Sequence, residues 1–193
     1  MVARIVAILL LGLGATQVKA AGIDLRLSDE SGELFYLYQT ATFGYGGADV
    51  GIGVFFNDYD DLMASFSWTV SGSGVGNARA LQYGVSIKAY GAMIEQRNQS
   101  DLSGGALGLG GLIRYVIPSA TPVAFLAEGY MAPKVTSFGD ADGFTEFRVA
   151  GEVEITPSAK AYVGFRHLEM EPANGTQEIE MDDNVHIGVR LSF

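Results

Sequence analysis

The stretch that decides the fold is Val185-His186-Ile187-Gly188-Val189-Arg190-Leu191-Ser192-Phe193. Its odd positions are all apolar, whereas its even positions carry His, Gly, Arg and Ser. Because successive side chains of a β-strand point to opposite faces, the stretch predicts a strand with one wholly apolar face. The edge strand of a soluble sandwich rarely presents so many apolar side chains on one face. The pattern therefore favours a strand of a membrane barrel.

The same alternation recurs upstream in segments of about ten residues, as expected of a transmembrane barrel. The predicted strands are 22–28, 33–43, 50–56, 62–70, 81–90, 106–117, 123–131, 145–155, 161–166 and 185–193. The first two show the weakest pattern. The sequence thus predicts an all-β chain forming a single antiparallel up-and-down transmembrane β-barrel of ten strands, or of eight if the first hairpin is only a plug or flap.

The connections between the predicted strands fall into two sets. The compact connections, rich in Gly, Pro and Ser, are 44–47, 71–77, 118–122 and 156–158. The longer and more acidic ones are 29–32, 57–61, 96–103, 133–143 and 171–184. Short turns of such barrels face the periplasm and longer loops face outside. Both ends of the barrel domain are therefore expected on the periplasmic side.

The first 20 residues have the features of a secretory signal peptide. Arg4 precedes an apolar run from Ile5 to Leu13, and Val18-Lys19-Ala20 fits a signal-peptidase site. The run is too short for a membrane-spanning helix, which needs about 20 apolar residues. We therefore expect cleavage after Ala20, a barrel domain over residues 21–193, and export to the outer membrane of a Gram-negative-type cell.

Composition narrows the function classes. Without Arg4 and Lys19, residues 21–193 hold 10 basic and 22 acidic side chains, a net charge of −12. This charge argues against nucleic acid, which requires basic patches. The chain has no cysteine, so packing and hydrogen bonding must stabilise the exported domain without disulfides.

The strand phase that directs the aliphatic residues to lipid directs nearly all mid-strand charges into the lumen. An outward Arg or Lys would cost about 2–4 kcal/mol at the midplane. The predicted lumen charges are Asp24, Arg26, Lys88, Arg114, Glu128, Glu146, Arg148, Glu152, Glu154, Arg166 and Arg190. Their near-balance favours a structural network of ion pairs in a narrow barrel filled by its side chains. A narrow ion path is the alternative.

Other candidate chemistry is weaker. His167 and His186 are the only histidines, and the chain has no Gly-x-Ser-x-Gly nucleophile motif, so we expect no enzyme activity. The acidic clusters 57–61 and 169–183 could attract Ca²⁺ or Mg²⁺, but their spacing does not match an EF-hand and acidic loops are usually just solvated. We therefore predict no cofactor and no specific metal site, only divalent ions bridging the loops to lipopolysaccharide phosphates.

The apolar face of the final stretch has a second implication. Val189, Leu191 and Phe193 form the kind of terminal amphipathic signal that outer-membrane barrel assembly machinery is expected to recognise. Outer-membrane lipid, lipopolysaccharide and this machinery are therefore the expected partners of a barrel that we expect to be monomeric.

Several segments together resemble the YfaZ family of outer-membrane proteins. They are the run 104–111 (GGALGLGG) with Arg114-Tyr115, the stretch 128–134 (EGYMAPK) continuing to 137–141 (SFGDA), 161–166 (AYVGFR) and 186–193 (HIGVRLSF), with weaker support from 24–29 (DLRLSD). Met131 stands where an aromatic residue would be expected in that family. The resemblance implies an exported outer-membrane barrel and no particular reaction.

The sequence thus favours a non-enzymatic outer-membrane barrel with a structural or surface-interaction role in the cell envelope. A narrow porin-like channel for ions or small polar solutes is the alternative, and an outer-membrane enzyme is a distant third.

Overall fold

The structure, a computed structural model, describes residues 21–95, 101–173 and 178–193, so the predicted signal peptide lies outside the described residues. The strands are β1 (Ala21–Leu27), β2 (Ser31–Phe43), β3 (Gly46–Asn57), β4 (Leu62–Ser73), β5 (Leu81–Ile94), β6 (Leu102–Ile117), β7 (Val123–Ala132), β8 (Ser137–Gly139), β9 (Ala141–Thr156), β10 (Ala159–Pro172) and β11 (Ile179–Ser192). Short 3-10 turns lie at Gly76–Ala80 and Lys134–Thr136. Among the described residues, no helix is long and apolar enough to cross a membrane.

The strands form one closed antiparallel barrel. Each long strand pairs with its neighbours along the chain, and β1 pairs with β11 to close the sheet. The short β8 adds to the end of β6 beyond the reach of β7, leaving ten strands around the barrel. The prediction of ten strands is confirmed. The eight-strand alternative is wrong, because β1 and β2 are each paired on both sides.

The two ends of the barrel differ as the sequence indicates. One end, which we call the turn end, carries the connections 44–45, 74–80, 118–122 and 157–158. The opposite loop end carries 28–30, 58–61 and 133–140, and the strands that flank residues 96–100 and 174–177, which lie outside the described residues, also end there. The predicted connection 171–184 is too long, because β10 continues to Pro172 and β11 begins at Ile179. Acidic residues on both faces obscured the alternation there.

The barrel wall presents its aliphatic and aromatic side chains outward. Exposed residues on this face include Ile52, Trp68, Ile87, Val163 and Val189, drawn from five different strands. Their neighbours in sequence point inward and are polar, charged or small. An apolar outer surface suited to contact with lipid is typical of an outer-membrane barrel. A soluble sandwich has the reverse arrangement, with its apolar side chains inside.

Candidate functional site: the barrel lumen

The lumen has three layers along the barrel axis. A cavity of about 660 Å³ opens at the turn end. An ion-pair belt of charged side chains from eight of the strands crosses the middle. An apolar core of inward-facing side chains fills the loop end. Each layer has its own chemistry, and together they decide what can enter the barrel.

The ion-pair belt crosses the seam where the barrel closes. Arg190 on β11 lies opposite Asp24 on β1, and their Nη2 and Oδ2 atoms are 2.6 Å apart. Asp24 also accepts a hydrogen bond from the Tyr162 hydroxyl. On the next inward position of β1, Arg26 donates from Nη1 to Glu33 Oε2 at 2.8 Å. The seam is therefore joined by side chains as well as by backbone hydrogen bonds.

From Glu33 the belt continues around the barrel. The same Oε2 atom accepts a second hydrogen bond from Arg166 Nη1 at 2.6 Å. Arg166 also lies 2.7 Å from Asp182 Oδ2, and its guanidinium carbon is 4.8 Å from the centroid of the Phe55 ring. The buried Glu33 carboxylate thus compensates both Arg26 and Arg166. Together with the Arg166–Asp182 pair, these contacts link β1, β2, β10 and β11.

On the other side of the lumen, Lys88 forms a buried ion pair surrounded by aromatic rings. Its Nζ atom lies 2.6 Å from Glu146 Oε2 and within 5.1 Å of the centroids of both Tyr90 and Tyr130. The Tyr90 hydroxyl donates to the same carboxylate at 2.9 Å. Aromatic faces stabilise a desolvated ammonium group. This cluster borders the apolar core, to which both tyrosine rings belong.

Two further pairs complete the ion pairing on the β6–β9 side. Arg148 Nε donates to Glu128 Oε1 at 2.7 Å, and Arg114 Nε donates to Glu152 Oε2 at 2.6 Å. Arg148 is 1% exposed, so this pair is screened little by water. Its Nη1 atom has no hydrogen-bond partner among the described residues.

The structure brings ten of the eleven predicted lumen charges into ion pairs. Glu154 is the exception; it lies opposite Lys160 in the strand register and forms no salt bridge within the described ranges. Sequence reasoning missed Glu33 and Asp182, which both lie inside the barrel. With them, the described ion pairs of the lumen hold six basic and six acidic side chains.

The two histidines lie on opposite faces of the wall. His186 points inward and is 3% exposed, and neither ring nitrogen has a hydrogen-bond partner in the described part of the chain. His167 points outward, where Nδ1 lies 3.0 Å from Asp183 and Nε2 lies 3.1 Å from Glu169. The two rings therefore cannot act on one substrate.

The apolar core closes the loop end from within. It consists of Phe55, Met63, Tyr90, Ala92, Ile94, Ala106, Tyr130, Ala132, Ala141, Phe144, Leu168, Met170 and Met181. Leu168 and Met170 are fully buried. On the same segment of β10, the outward positions are the polar His167 and Glu169. The usual barrel pattern is thus inverted on this segment of β10, and the loop end has the apolar interior of a soluble protein.

The outer surface of the loop end is acidic. Carboxylate oxygens of Glu169, Glu171 and Glu178 lie within 4.8 Å of one another. Asp61 is mostly buried at the base of the 58–61 loop, where it accepts a hydrogen bond from Asn57 Nδ2 at 2.9 Å. Burial raises the pKa of the Asp61 carboxyl, and that hydrogen bond acts in the opposite direction. The cluster of three glutamates, rather than Asp61, therefore favours cations near this end.

The residues of the predicted assembly signal share the outward face of β11 and the position that follows it. Val189, Leu191 and Phe193 are all exposed on the barrel wall. Phe193 and Ala21 exchange two backbone hydrogen bonds, of 2.8 and 2.9 Å. The backbone of Phe193 thus takes part in closing the barrel, while its side chain remains exposed on the outer wall.

A closed ten-strand wall with an apolar outer face and a charged interior defines an outer-membrane-type β-barrel. The chain belongs to the YfaZ family, because the family model described as YfaZ precursor matches residues 2–193. This membership confirms the prediction made from the sequence segments. No curated protein matches the chain.

A search of solved structures finds the transport unit of the autotransporter AIDA-I from Escherichia coli. It is 10% identical, with 95% of this chain and 92% of that chain covered, at a TM-score of 0.27. A likeness this slight carries no argument about the present chain.

Proposed function

We propose that this protein is a non-conducting outer-membrane barrel with a structural or surface-interaction role in the cell envelope. The observation that carries the proposal is the layered lumen. Within the described residues, the apolar core fills the loop end with buried side chains, and the ion-pair belt beneath it leaves few of its charges unpaired. A narrow channel for ions or small polar solutes is the alternative, favoured by the cavity at the turn end.

The proposed location and partners follow from the surface. The outward apolar wall suits the outer-membrane bilayer, and Val189, Leu191 and Phe193 suit recognition by the barrel assembly machinery. With the turn end in the periplasm, the acidic loop end lies among lipopolysaccharide phosphates. Divalent ions would bridge its carboxylates, such as Glu169 and Glu171, to those phosphates. We propose a monomer that binds no nucleic acid and requires no cofactor.

We further propose that the chain catalyses no reaction. The support is the surroundings of the two histidines. His186 is enclosed beside arginines, and His167 contacts only carboxylates among its hydrogen-bond partners in the described chain. Neither arrangement supplies the nucleophile and base that hydrolysis of an ester or amide requires.

Deleting the gene tests the proposed role in the cell envelope. A deletion strain should become more sensitive to large hydrophobic antibiotics, which an intact outer membrane excludes, and the wild-type gene should restore resistance. A Glu169→Gln/Glu171→Gln variant should restore it only in part if cation bridging matters, whereas Lys134→Gln serves as a matched loop-end control. Unchanged sensitivity of the deletion strain would contradict the proposed role.

A further inference from the structure

The cavity at the turn end has an uneven distribution of charge. Its basic lining residues are Arg26, Lys88, Arg114, Arg148, Lys160 and Arg190, whereas its acidic lining residues are Asp49 and Glu128. The part of the cavity wall formed by β4 is polar and uncharged, and it carries the hydroxyl groups of Ser67, Thr69, Ser71 and Ser73. The cavity therefore presents cations and hydrogen-bond donors to whatever enters it.

Two of these basic groups, Arg114 and Arg190, are more exposed than their carboxylate partners. The Arg190 side chain is 24% exposed and its partner Asp24 is 0% exposed. Arg114 is 16% exposed and its partner Glu152 is 3% exposed. In these two pairs the cationic side thus faces the void while the anionic side is enclosed in the wall, whereas in the Arg148–Glu128 pair the carboxylate is the more exposed side chain, at 12% against 1%. Such a layer favours an anion in the cavity even though each arginine is paired.

Lys160 adds a cation that forms no salt bridge within the described residues. It lies directly opposite Arg190 across β10 and β11, and both Arg190 and Arg114 repel it. Like charges directly opposite on neighbouring strands are destabilising. Glu152 and Glu154 attract the ammonium group, but neither forms a salt bridge with it in the described part of the chain. A ligand that bears negative charge would relieve this repulsion.

We propose that the turn-end cavity binds a small, water-soluble organic anion that carries at least two negative charges on phosphate or carboxylate groups. Arg114, Lys160 and Arg190 contact these charges, and the β4 hydroxyl groups donate to the remaining ligand oxygens. Ligand pockets usually measure about 300–1,000 Å³, and the cavity of about 660 Å³ lies in that range.

The shape of the cavity limits the source of the ligand. Since the cavity lies inside the closed barrel, an acyl chain embedded in the surrounding bilayer cannot accompany a headgroup into it. The apolar core blocks entry from the loop end. The ligand must therefore enter from the turn end, which is the periplasmic side in the proposed orientation. The site does not depend on whether the barrel conducts.

Calorimetric titration of the refolded barrel in zwitterionic detergent tests the proposal, with pyrophosphate and citrate as separate probes. We expect 1:1 binding of at least one of them, with pyrophosphate favouring phosphate ligands and citrate favouring carboxylates. Lys160→Gln removes no salt bridge, so the fold should persist while affinity falls at least tenfold. Migration before and after boiling verifies that each variant is folded.

Lys134→Gln is the matched control, because it removes the same charge from an exposed side chain at the loop end. Its affinity should equal that of the wild type. The proposal is overturned if neither probe binds the wild-type barrel. It is also overturned if Lys160→Gln and Lys134→Gln bind with the same affinity.

Discussion

Replacing Arg148 by alanine tests the division between the inside and outside of the barrel. The Arg148 side chain is 1% exposed, its Nε atom donates to Glu128 at 2.7 Å, and its guanidinium carbon lies 5.8 Å from the centroid of the Tyr162 ring. Arg148→Ala leaves the Glu128 carboxylate in the lumen without its direct partner. The neighbouring Val149 points outward and is 37% exposed, so Val149→Ala is the matched control.

The two substitutions should lower the free energy of unfolding by different amounts, because Arg148 compensates a buried charge whereas Val149 lies on the outward face. Removing one partner of a buried ion pair costs about 3–5 kcal/mol, since the remaining charge is uncompensated. Val149→Ala removes the equivalent of two methylene groups, worth at most about 1.6 kcal/mol at about 0.8 kcal/mol each. Water in the cavity screens the remaining charge and lowers the first figure, and the prediction is the ranking of the two variants.

Urea unfolding in detergent or lipid measures both changes. The single tryptophan, Trp68, lies on the outward face and reports by fluorescence on loss of its apolar surroundings. Arg148→Ala should lower the free energy of unfolding more than Val149→Ala. Combining it with Glu128→Ala should cost less than the sum of the single changes. If Val149→Ala is as damaging as Arg148→Ala, the assignment of inward and outward faces is refuted.

Three further changes follow from the lumen and the seam. Deleting Phe193, which exchanges two hydrogen bonds with Ala21, should leave export intact but strongly reduce the heat-modifiable barrel in the outer membrane; normal yield would contradict this. Gly188→Ala should cost about 1–3 kcal/mol in urea unfolding, because a Cβ there clashes with the Tyr162 ring, whereas Gly151→Ala, which meets no atom within 4 Å, should be nearly neutral. His186→Lys should destabilise more than the neutral His186→Gln in the same assay, because it adds a permanent charge beside buried arginines, and equal stability would contradict this.

The fold could be predicted because the outward face obeys one simple rule. Every wall strand must offer apolar side chains to its surroundings, and the period of two seen in 185–193 repeats with little interruption. The weakest predictions are β1 and β2, and on β2 the inward-facing Phe35 and Leu37 blur the alternation. Their pairing on both sides shows that position in a closed sheet decides the structure even where the local pattern is ambiguous.

The pairing inside the lumen could be predicted only in part. Alternation indicated which charges point inward, but it cannot choose partners across a barrel. Arg166 pairs with Glu33, which lies 133 residues away in sequence, and Glu152 pairs with Arg114. Asp182 was assigned to a loop because acidic residues surround it, although it faces Arg166 inside the barrel.

The inverted loop end was not predicted for a related reason. There Leu168, Met170 and Met181 point inward, and polar residues point outward, so the lipid-facing pattern no longer applies. A change of pattern within one strand looks like the end of that strand when the sequence is read alone. The core that closes the lumen becomes evident only when the strands are assembled.

Conductance of the refolded wild-type barrel in a planar lipid bilayer tests the central claim most directly. A lumen closed by the apolar core should give no unitary currents, while a porin refolded and inserted in the same way gives them. The barrel is delivered to the planar bilayer from lipid vesicles. Protein recovered from these vesicles should migrate as a folded barrel before boiling, which verifies that an absence of current is not caused by failure to fold and insert. Steady unitary currents from the wild-type protein would contradict the non-conducting barrel and establish the narrow channel instead.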